Sequence, residues 1–321
     1  MTYTVVATDK VSDAGLSSLV EDDRFNVVFE HDSASDAFAS ALATAHALIV
    51  RSATTVDDEM LAGAPILKVI GRAGVGVDNI DIPAATGREI AVVNAPSGNT
   101  IAAAEMTMAL ILATMRHVAA ADASLRAGNW DRASFQGSEL LGRRLGLIGA
   151  GRIGAEVAVR CQSFGMDVII YDPYLSKERA DEIGSRLTDL DEVVTTSDVI
   201  SLHVPLTDET RGMINEDSIA KMKAGTYLIN VSRGGVVNEA DLAAALASGH
   251  LGGAALDVFE EEPLSESSPL RSAPRLTLTP HLGASTVEAQ EHVAVEVAAN
   301  VAAVLVEGDL SAALNKDQLS S

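Results

Sequence analysis

Arg233 lies in the run Asn230-Val231-Ser232-Arg233-Gly234-Gly235, Glu262 closes the acidic triplet before Pro263, and His281 lies in Thr279-Pro280-His281-Leu282-Gly283. Arg233 and His281 each follow a short apolar run that reads as a β-strand. Ligands of open parallel sheets gather at the carboxyl ends of their strands. The three side chains suit one kind of chemistry, the oxidation of a secondary alcohol. An imidazole titrates near neutrality and can take and return the hydroxyl proton. A carboxylate beside it would orient the ring. An arginine can clamp a substrate carboxylate through two hydrogen bonds and polarise the reacting oxygen. Spacing alone leaves a plainer reading open: a structural His, an Arg capping a carbonyl and a solvated acidic turn.

Alcohol oxidation also needs a hydride acceptor, and the middle of the chain supplies a place for one. The strand-like run Arg144–Ile148 leads into Gly149-Ala150-Gly151-Arg152-Ile153-Gly154, a helical stretch, a second strand Asp167–Tyr171 and then Asp172. Gly149 permits a tight turn, Gly151 lets backbone N–H groups approach a pyrophosphate, and Gly154 lets the helix pack close to the strand. Asp172 falls 18 residues beyond Gly154, where an acid hydrogen-bonds the adenosine ribose. That acid would repel a 2′-phosphate, so the expected cofactor is NAD. No metal site is expected.

These residues need a scaffold, and the chain reads as an alternating α/β protein throughout. In the first hundred residues, strand-like runs (Thr4–Ala7, Asn26–Phe29, Ala47–Val50, Val69–Gly71, Ala91–Val93) alternate with helical stretches Ser35–Ala45 and Thr55–Ala62. Thr100–Ala127 has neither Pro nor Gly and reads as one long helix or two. Alternation then resumes to about Thr279, giving a sheet of about six strands. The apolar helix Thr286–Val306 has the length to return to the first domain. The expected architecture is two doubly wound α/β parallel-sheet domains. A Rossmann cofactor domain (99–282) is inserted into a discontinuous, flavodoxin-like substrate domain (1–98 and 283–321).

Composition narrows the partners. The 321 residues are 47% hydrophobic but only 3% aromatic, so the cores must be built from Ala, Val, Leu and Ile. A formal net charge of −22 opposes binding to nucleic acid or to an anionic membrane. It also requires any phosphate or carboxylate site to be locally basic. Only six of the 23 basic residues are lysine, which together with the acid excess suits a high-salt host; a GC-rich genome would give the same bias. The single cysteine, Cys161, cannot form an internal disulfide, and the N-terminus lacks a signal-peptide pattern, so a cytoplasmic location is expected. The apolar stretch Ile101–Met115 carries Glu105 and is short for a membrane span.

The chain resembles the D-isomer-specific 2-hydroxyacid dehydrogenases over nearly its whole length. The resemblance rests on Arg51-Ser52-Ala53-Thr54-Thr55-Val56, on Gly71 to Asp81, on Asn94 to Thr100, and on the glycine fingerprint. It continues through His203 to Thr207, the Arg233 segment, Ala255 to Phe259 and Pro280 to Thr286. The resemblance implies His281 as acid/base, Glu262 as its partner and Arg233 as the carboxylate anchor. It implies NAD contacts at Arg152, Ile153, Asp172, His203, Pro205, Thr210 and Asp257. Substrate contacts are implied at Arg51, Ser52, Asn99 and the backbone of Gly74, Val75 and Gly76. Arg132, in relatives, would reach a neighbour's site across a homodimer formed through the cofactor domain. Arg51-Ser52 and the Leu282 to Thr286 ending lean towards the branch that oxidises 3-phosphoglycerate on the way to serine. The alternatives are a glyoxylate or hydroxypyruvate reductase and, from a different class, an NAD-sensing corepressor-like scaffold. Longer members of that branch add a serine-sensing ACT domain, and a chain ending at Ser321 is not expected to be regulated through one.

Overall fold

The computed structural model describes residues 2–319; residues 1, 320 and 321, at the ends of the first domain as read from sequence, lie outside it. The chain divides into two compact units, residues 1–100 with 284–321 and residues 101–283.

The first unit is built on five parallel strands: β1 (Tyr3–Ala7), β2 (Phe25–Phe29), β3 (Ala47–Val50), β4 (Val69–Arg72) and β5 (Ala91–Asn94), in the order β2-β1-β3-β4-β5. Both faces are covered, which is why these strands read as unbroken apolar runs rather than alternating ones. Successive side chains still point to opposite sides. Val5, Ala7, Ile49 and Val93 pack on one face against Val293, Val297 and Val301, and Val6, Leu48, Ile70 and Val92 pack on the other against Phe38, Leu42 and Leu61.

Those three valines recur every four residues on the helix Val287–Ala302, forming its core-facing stripe. Thr286 caps this helix by accepting from the Ala289 N–H at 3.0 Å. Val287–Glu307 is long and apolar enough to cross a membrane by length and composition, but its apolar side is this core face. At Gly71 the helix comes so near β4 that a Cβ would lie 2.7 Å from a Val297 methyl.

Two helices of this unit are shorter than their sequence suggests, and in each case the cap explains the start. Ser35 accepts from the Phe38 N–H, so that helix covers Asp36–Leu42. Asp57 accepts from the Met60 N–H and is itself extended, so the next helix covers only Asp58–Ala62, and Val56 instead bridges to Ile80.

The second unit has seven parallel strands rather than six: β6 (Arg144–Ile148), β7 (Asp167–Tyr171), β8 (Arg186–Leu187), β9 (Val199–Leu202), β10 (Tyr227–Asn230), β11 (Gly253–Leu256) and β12 (Leu276–Leu278). Their order is β12-β11-β10-β9-β6-β7-β8. The chain therefore reverses direction across the sheet between β6 and β9, and such a switch point leaves a crevice for ligand at the strand ends. The two-residue β8 adds the seventh strand. One face packs Leu145, Leu147 and Ile229 against Met108, Ile111 and Val157; the other packs Ile148, Ile200 and Leu228 against Val193, Leu242 and Leu246.

The long helical stretch after residue 100 is two helices, Thr100–Met115 and Val118–Arg126, bent by 62°. The break is at His117, whose φ of 56° is left-handed. No residue of the second helix is buried in the chain.

Candidate active site

Gly149, Asp172, His203, Arg233, Asp257 and His281 lie just past the carboxyl ends of strands, Arg152 to Gly154 open the helix after β6, and Thr210 and Glu262 lie further along the loops after β9 and β11. β6 is followed by Gly149, with φ of 89°. A Cβ there would strike the His203 carbonyl, and one at Gly154 would lie 2.5 Å from the Gly149 carbonyl oxygen. Gly151 is different, because a Cβ there would have open space around it. It also begins the helix Arg152–Ser163 without any side-chain cap, so the first helical N–H groups are available to an anion. At the end of β7, Asp172 accepts from the Ala150 N–H and the Tyr174 N–H, one on each oxygen, both at 2.9 Å. Each carboxylate oxygen keeps a further acceptor site for a ribose hydroxyl. A glycine cradle, an uncapped helix start and a fixed carboxylate together fit a dinucleotide.

His203 follows β9, with its Nε2 2.9 Å from the Ser201 hydroxyl. Burial pushes its pKa down to about 4, so the ring is neutral. Pro205 and Thr210 close the following loop: the Thr210 hydroxyl donates to the Pro205 carbonyl at 2.6 Å and accepts from the Thr207 N–H at 2.8 Å.

His281 is held from β11. Asp257 is fully buried, and its carboxylate accepts from the Thr279 hydroxyl at 2.6 Å and from the Leu282 and Gly283 N–H groups at 2.8 Å each. Its carbonyl accepts from the His281 N–H at 2.8 Å. The turn so fixed keeps His281 at φ of 53°, a conformation few non-glycine residues adopt. The His281 Nδ1 lies 2.7 Å from Glu262 Oε2, with both side chains partly exposed. Glu262 Oε1 accepts from the Phe259 N–H at 3.0 Å. Burial pushes the Glu262 carboxyl up, but the His281 hydrogen bond, the Phe259 N–H and the charges of His281 and Arg233 outweigh it. The net effect holds the carboxyl below the usual value. With Nδ1 committed to Glu262, proton exchange falls to Nε2.

Arg233 belongs to the same cluster. Asn230, at the end of β10, shapes its turn by donating to the Arg233 carbonyl at 2.9 Å and accepting from the Ser232 N–H at 2.9 Å. The next residue, Gly234, is pressed so tightly on the Phe259 carbonyl that no Cβ would fit. The turns carrying Arg233 and Glu262 are therefore packed against each other. Arg132 is not part of this gathering. It is exposed on the segment after Val118–Arg126, beside Trp130, which is 82% exposed.

The first unit presents its own set at strand ends. Arg51 follows β3, and Ser52 beside it is exposed. Gly74, at φ of 152°, lies under the Arg72 guanidinium. The Asn94 amide donates to the Val75 carbonyl at 2.6 Å, fixing the Gly74-Val75-Gly76 loop. Asn99 follows a turn whose Ser97 and Gly98 N–H groups donate to Glu296 at 3.2 and 3.0 Å. Its Oδ1 is buried with no protein partner among the described residues, an acceptor awaiting a donor.

Sequence reasoning missed several contributors. Arg72 stands at the end of β4 as Arg51 stands just past β3, and that positional parallel was a usable signal. Thr279 and Ser201, which hold Asp257 and His203, carried no sequence signal.

Comparison with known proteins gives the following. Residues 108–283 match the family model described as D-isomer specific 2-hydroxyacid dehydrogenase, NAD binding domain. The chain is 48% identical over 299 residues to D-3-phosphoglycerate dehydrogenase of Bacillus subtilis (strain 168), covering 93% of this chain and 56% of that protein. It is 51% identical over 255 residues to the protein of that name from Archaeoglobus fulgidus, covering 79% and 48%. The chain thus spans about half the length of these relatives. A solved protein of Thermus thermophilus superposes with a TM-score of 0.87 at 34% identity, covering 97% of this chain and 99% of that one.

Proposed function

The chain belongs to the D-isomer-specific 2-hydroxyacid dehydrogenase family, with NAD as its cofactor, and from that membership we propose that it oxidises 3-phospho-D-glycerate to 3-phosphohydroxypyruvate, the entry to serine synthesis. The observation that carries the chemistry is the 2.7 Å pair of His281 Nδ1 and Glu262, packed beside the Arg233 turn. The choice of substrate is supported by the 48–51% identity to proteins named for it.

NAD, when bound, accepts the hydride leaving carbon 2. The chain's own residues do the rest. His281 takes the hydroxyl proton at Nε2, and Glu262 stabilises the imidazolium so formed through Nδ1. Arg233 clamps the substrate carboxylate and draws electron density from the reacting oxygen. Gly151 and the backbone of Arg152 and Ile153 would hold the pyrophosphate, and Asp172 the adenosine ribose. Arg51 and Ser52 take the phosphate, and Asn99 with the Gly74-Val75-Gly76 backbone positions the remainder. The alcohol loses one proton to His281 and one hydride to the cofactor, leaving the ketone.

The protein acts as a homodimer through its second unit. The support is the Val118–Arg126 helix with no buried residue, continued by Trp130. Arg132 then serves the neighbouring copy's site. A cytoplasmic location is supported by a lone thiol, Cys161, which burial holds protonated with its pKa pushed up to about 12. The net charge of −22 argues against nucleic acid or anionic membrane as a partner.

The test is initial-rate NAD reduction at alkaline pH with a ketone trap, comparing 3-phosphoglycerate, D-glycerate and D-lactate. Preference for the phosphorylated acid, lost in Arg51→Ala, is expected. Fast NADH oxidation with glyoxylate and no phosphate preference would move the protein to the reductase branch. NAD binding without turnover would make it a sensor.

A further inference from the structure

Arg51 has left the β3 ladder, yet its main chain is not loose. Its N–H donates to Asp9 Oδ2 at 2.7 Å, across 42 residues. Its carbonyl accepts from the Asn79 amide at 2.7 Å, across 28 residues. The same two side chains hold Thr54. The Thr54 hydroxyl donates to Asp9 Oδ1 at 2.7 Å, and the Thr54 carbonyl accepts from the Asn79 amide at 2.6 Å. The loop from residue 51 to 54 is thus gripped at both ends by one carboxylate and one amide. The Arg51 guanidinium also donates to the Lys10 carbonyl at 3.2 Å, in the turn that Asp9 begins.

Asp9 carries a cost for this arrangement. Its φ is 57°, in the left-handed region, which is unfavourable for a non-glycine residue. Such conformations persist where the surroundings over-determine them, and they cluster at functional positions. Here both carboxylate oxygens are used, and the Asp9 carbonyl lies 2.6 Å from His31 Nδ1.

Resting on the reading that Arg51 takes the substrate phosphate, we propose that Asp9 and Asn79 are positioning residues that set phosphate specificity by pre-organising Arg51. An unrestrained arginine loses rotamer freedom on being fixed, so one whose backbone is already locked and whose guanidinium is tethered binds a phosphate at lower entropic cost. A chain of net charge −22 adds weight to this, because attraction for an anion must come from a fixed local cation. If Asp9 merely ties two strands together, its loss affects all substrates alike. If it positions Arg51, its loss falls on the phosphorylated substrate.

The experiment measures kcat and KM for 3-phosphoglycerate and for D-glycerate in the wild type, Asp9→Asn, Arg51→Ala and the double variant. Asp9→Asn keeps the size of the side chain but removes its charge, so the bond accepted from the Arg51 N–H is no longer charge-assisted. It is expected to raise KM for 3-phosphoglycerate about tenfold, the effect of one weakened charge-assisted hydrogen bond, and to leave D-glycerate kinetics unchanged. In the Arg51→Ala background it should add nothing. Thr54→Val, which removes a single bond to Asp9, should move the same ratio by less and covers the case in which Asp9→Asn does not fold. Equal losses for both substrates, or an Asp9→Asn effect that persists without Arg51, would overturn the inference alone. An Arg51→Ala variant with its phosphate preference intact would overturn the phosphate reading beneath it.

Discussion

His203 is a half-buried, neutral imidazole with its pKa lowered to about 4, against 6.5 for an ordinary histidine. Between those values the unfolded chain binds a proton that the folded chain refuses. Stability is therefore whole above pH 6.5 and falls as pH drops towards 4, with a slope below about 1.4 kcal/mol per pH unit because the residue keeps some exposure. Urea unfolding followed by circular dichroism across this range should show that slope, and His203→Gln should flatten it. A slope unchanged in the variant would place the titrating group elsewhere. On the proposed mechanism the His281–Glu262 pair makes the opposite kind of demand, serving turnover rather than folding. His281→Asn should lower kcat by about 10²–10⁴-fold with NAD affinity retained. Glu262→Gln keeps a hydrogen bond but loses the charge, an effect of about 1.5–3 kcal/mol, or roughly ten- to hundredfold in kcat. Single-turnover measurements separate these losses from any change in binding, and a Glu262→Gln variant with wild-type kcat would remove Glu262 from the mechanism.

The glycine turn after β6 joins element to function, and its glycines answer to different constraints. Gly154 lies so near the Gly149 carbonyl that Gly154→Ala must separate helix from strand, at a cost of about 1–3 kcal/mol. Gly151 faces open space, so Gly151→Ala should leave the melting temperature unchanged and weaken NAD binding by intruding where the pyrophosphate rests. Thermal melts beside NAD fluorescence titrations distinguish the two; an equal fall in melting temperature would contradict the assignment. This turn was legible in the sequence because each glycine is demanded by a local conformation or a short-range contact. The long strands were legible for a similar reason, since burial on both faces makes them apolar runs. β8 was not, because two residues, Arg186 and Leu187, form no run at all. The break at His117 carries neither Pro nor Gly to announce it. His281 and Arg233 could be picked out by residue type and by their place after apolar runs, and Glu262 by its type at the end of an acidic triplet. Asp257, which ties down the His281 turn, and Asp9, which ties down Arg51, act through bonds spanning 22 to 42 residues, and spacing along the chain says nothing about such partners.

At the scale of the whole molecule the excess of acid sets a background against which local pairs matter little. Arg186 with Glu192 and Arg88 with Asp58 are surface pairs, which water and salt screen and which contribute little to stability. With 45 acidic against 23 basic residues, about half of the carboxylates have no basic partner to meet, and their mutual repulsion favours expansion of the chain. Salt acts on both terms. Raising ionic strength from 0.1 M to 1 M shortens the screening length from about 10 Å to about 3 Å, which removes repulsion between distant carboxylates while leaving close pairs partly intact. The net effect for this composition is stabilisation, and we propose that the protein is adapted to high salt. The urea midpoint should rise with KCl and level off near molar salt, once the screening length is shorter than the distance between neighbouring charges. The low lysine count fits the same adaptation but would also follow from base composition of the genome, whereas a salt-dependent midpoint would not. A midpoint that is flat or falling between 0.1 M and molar KCl would leave the acidity without a role in stability.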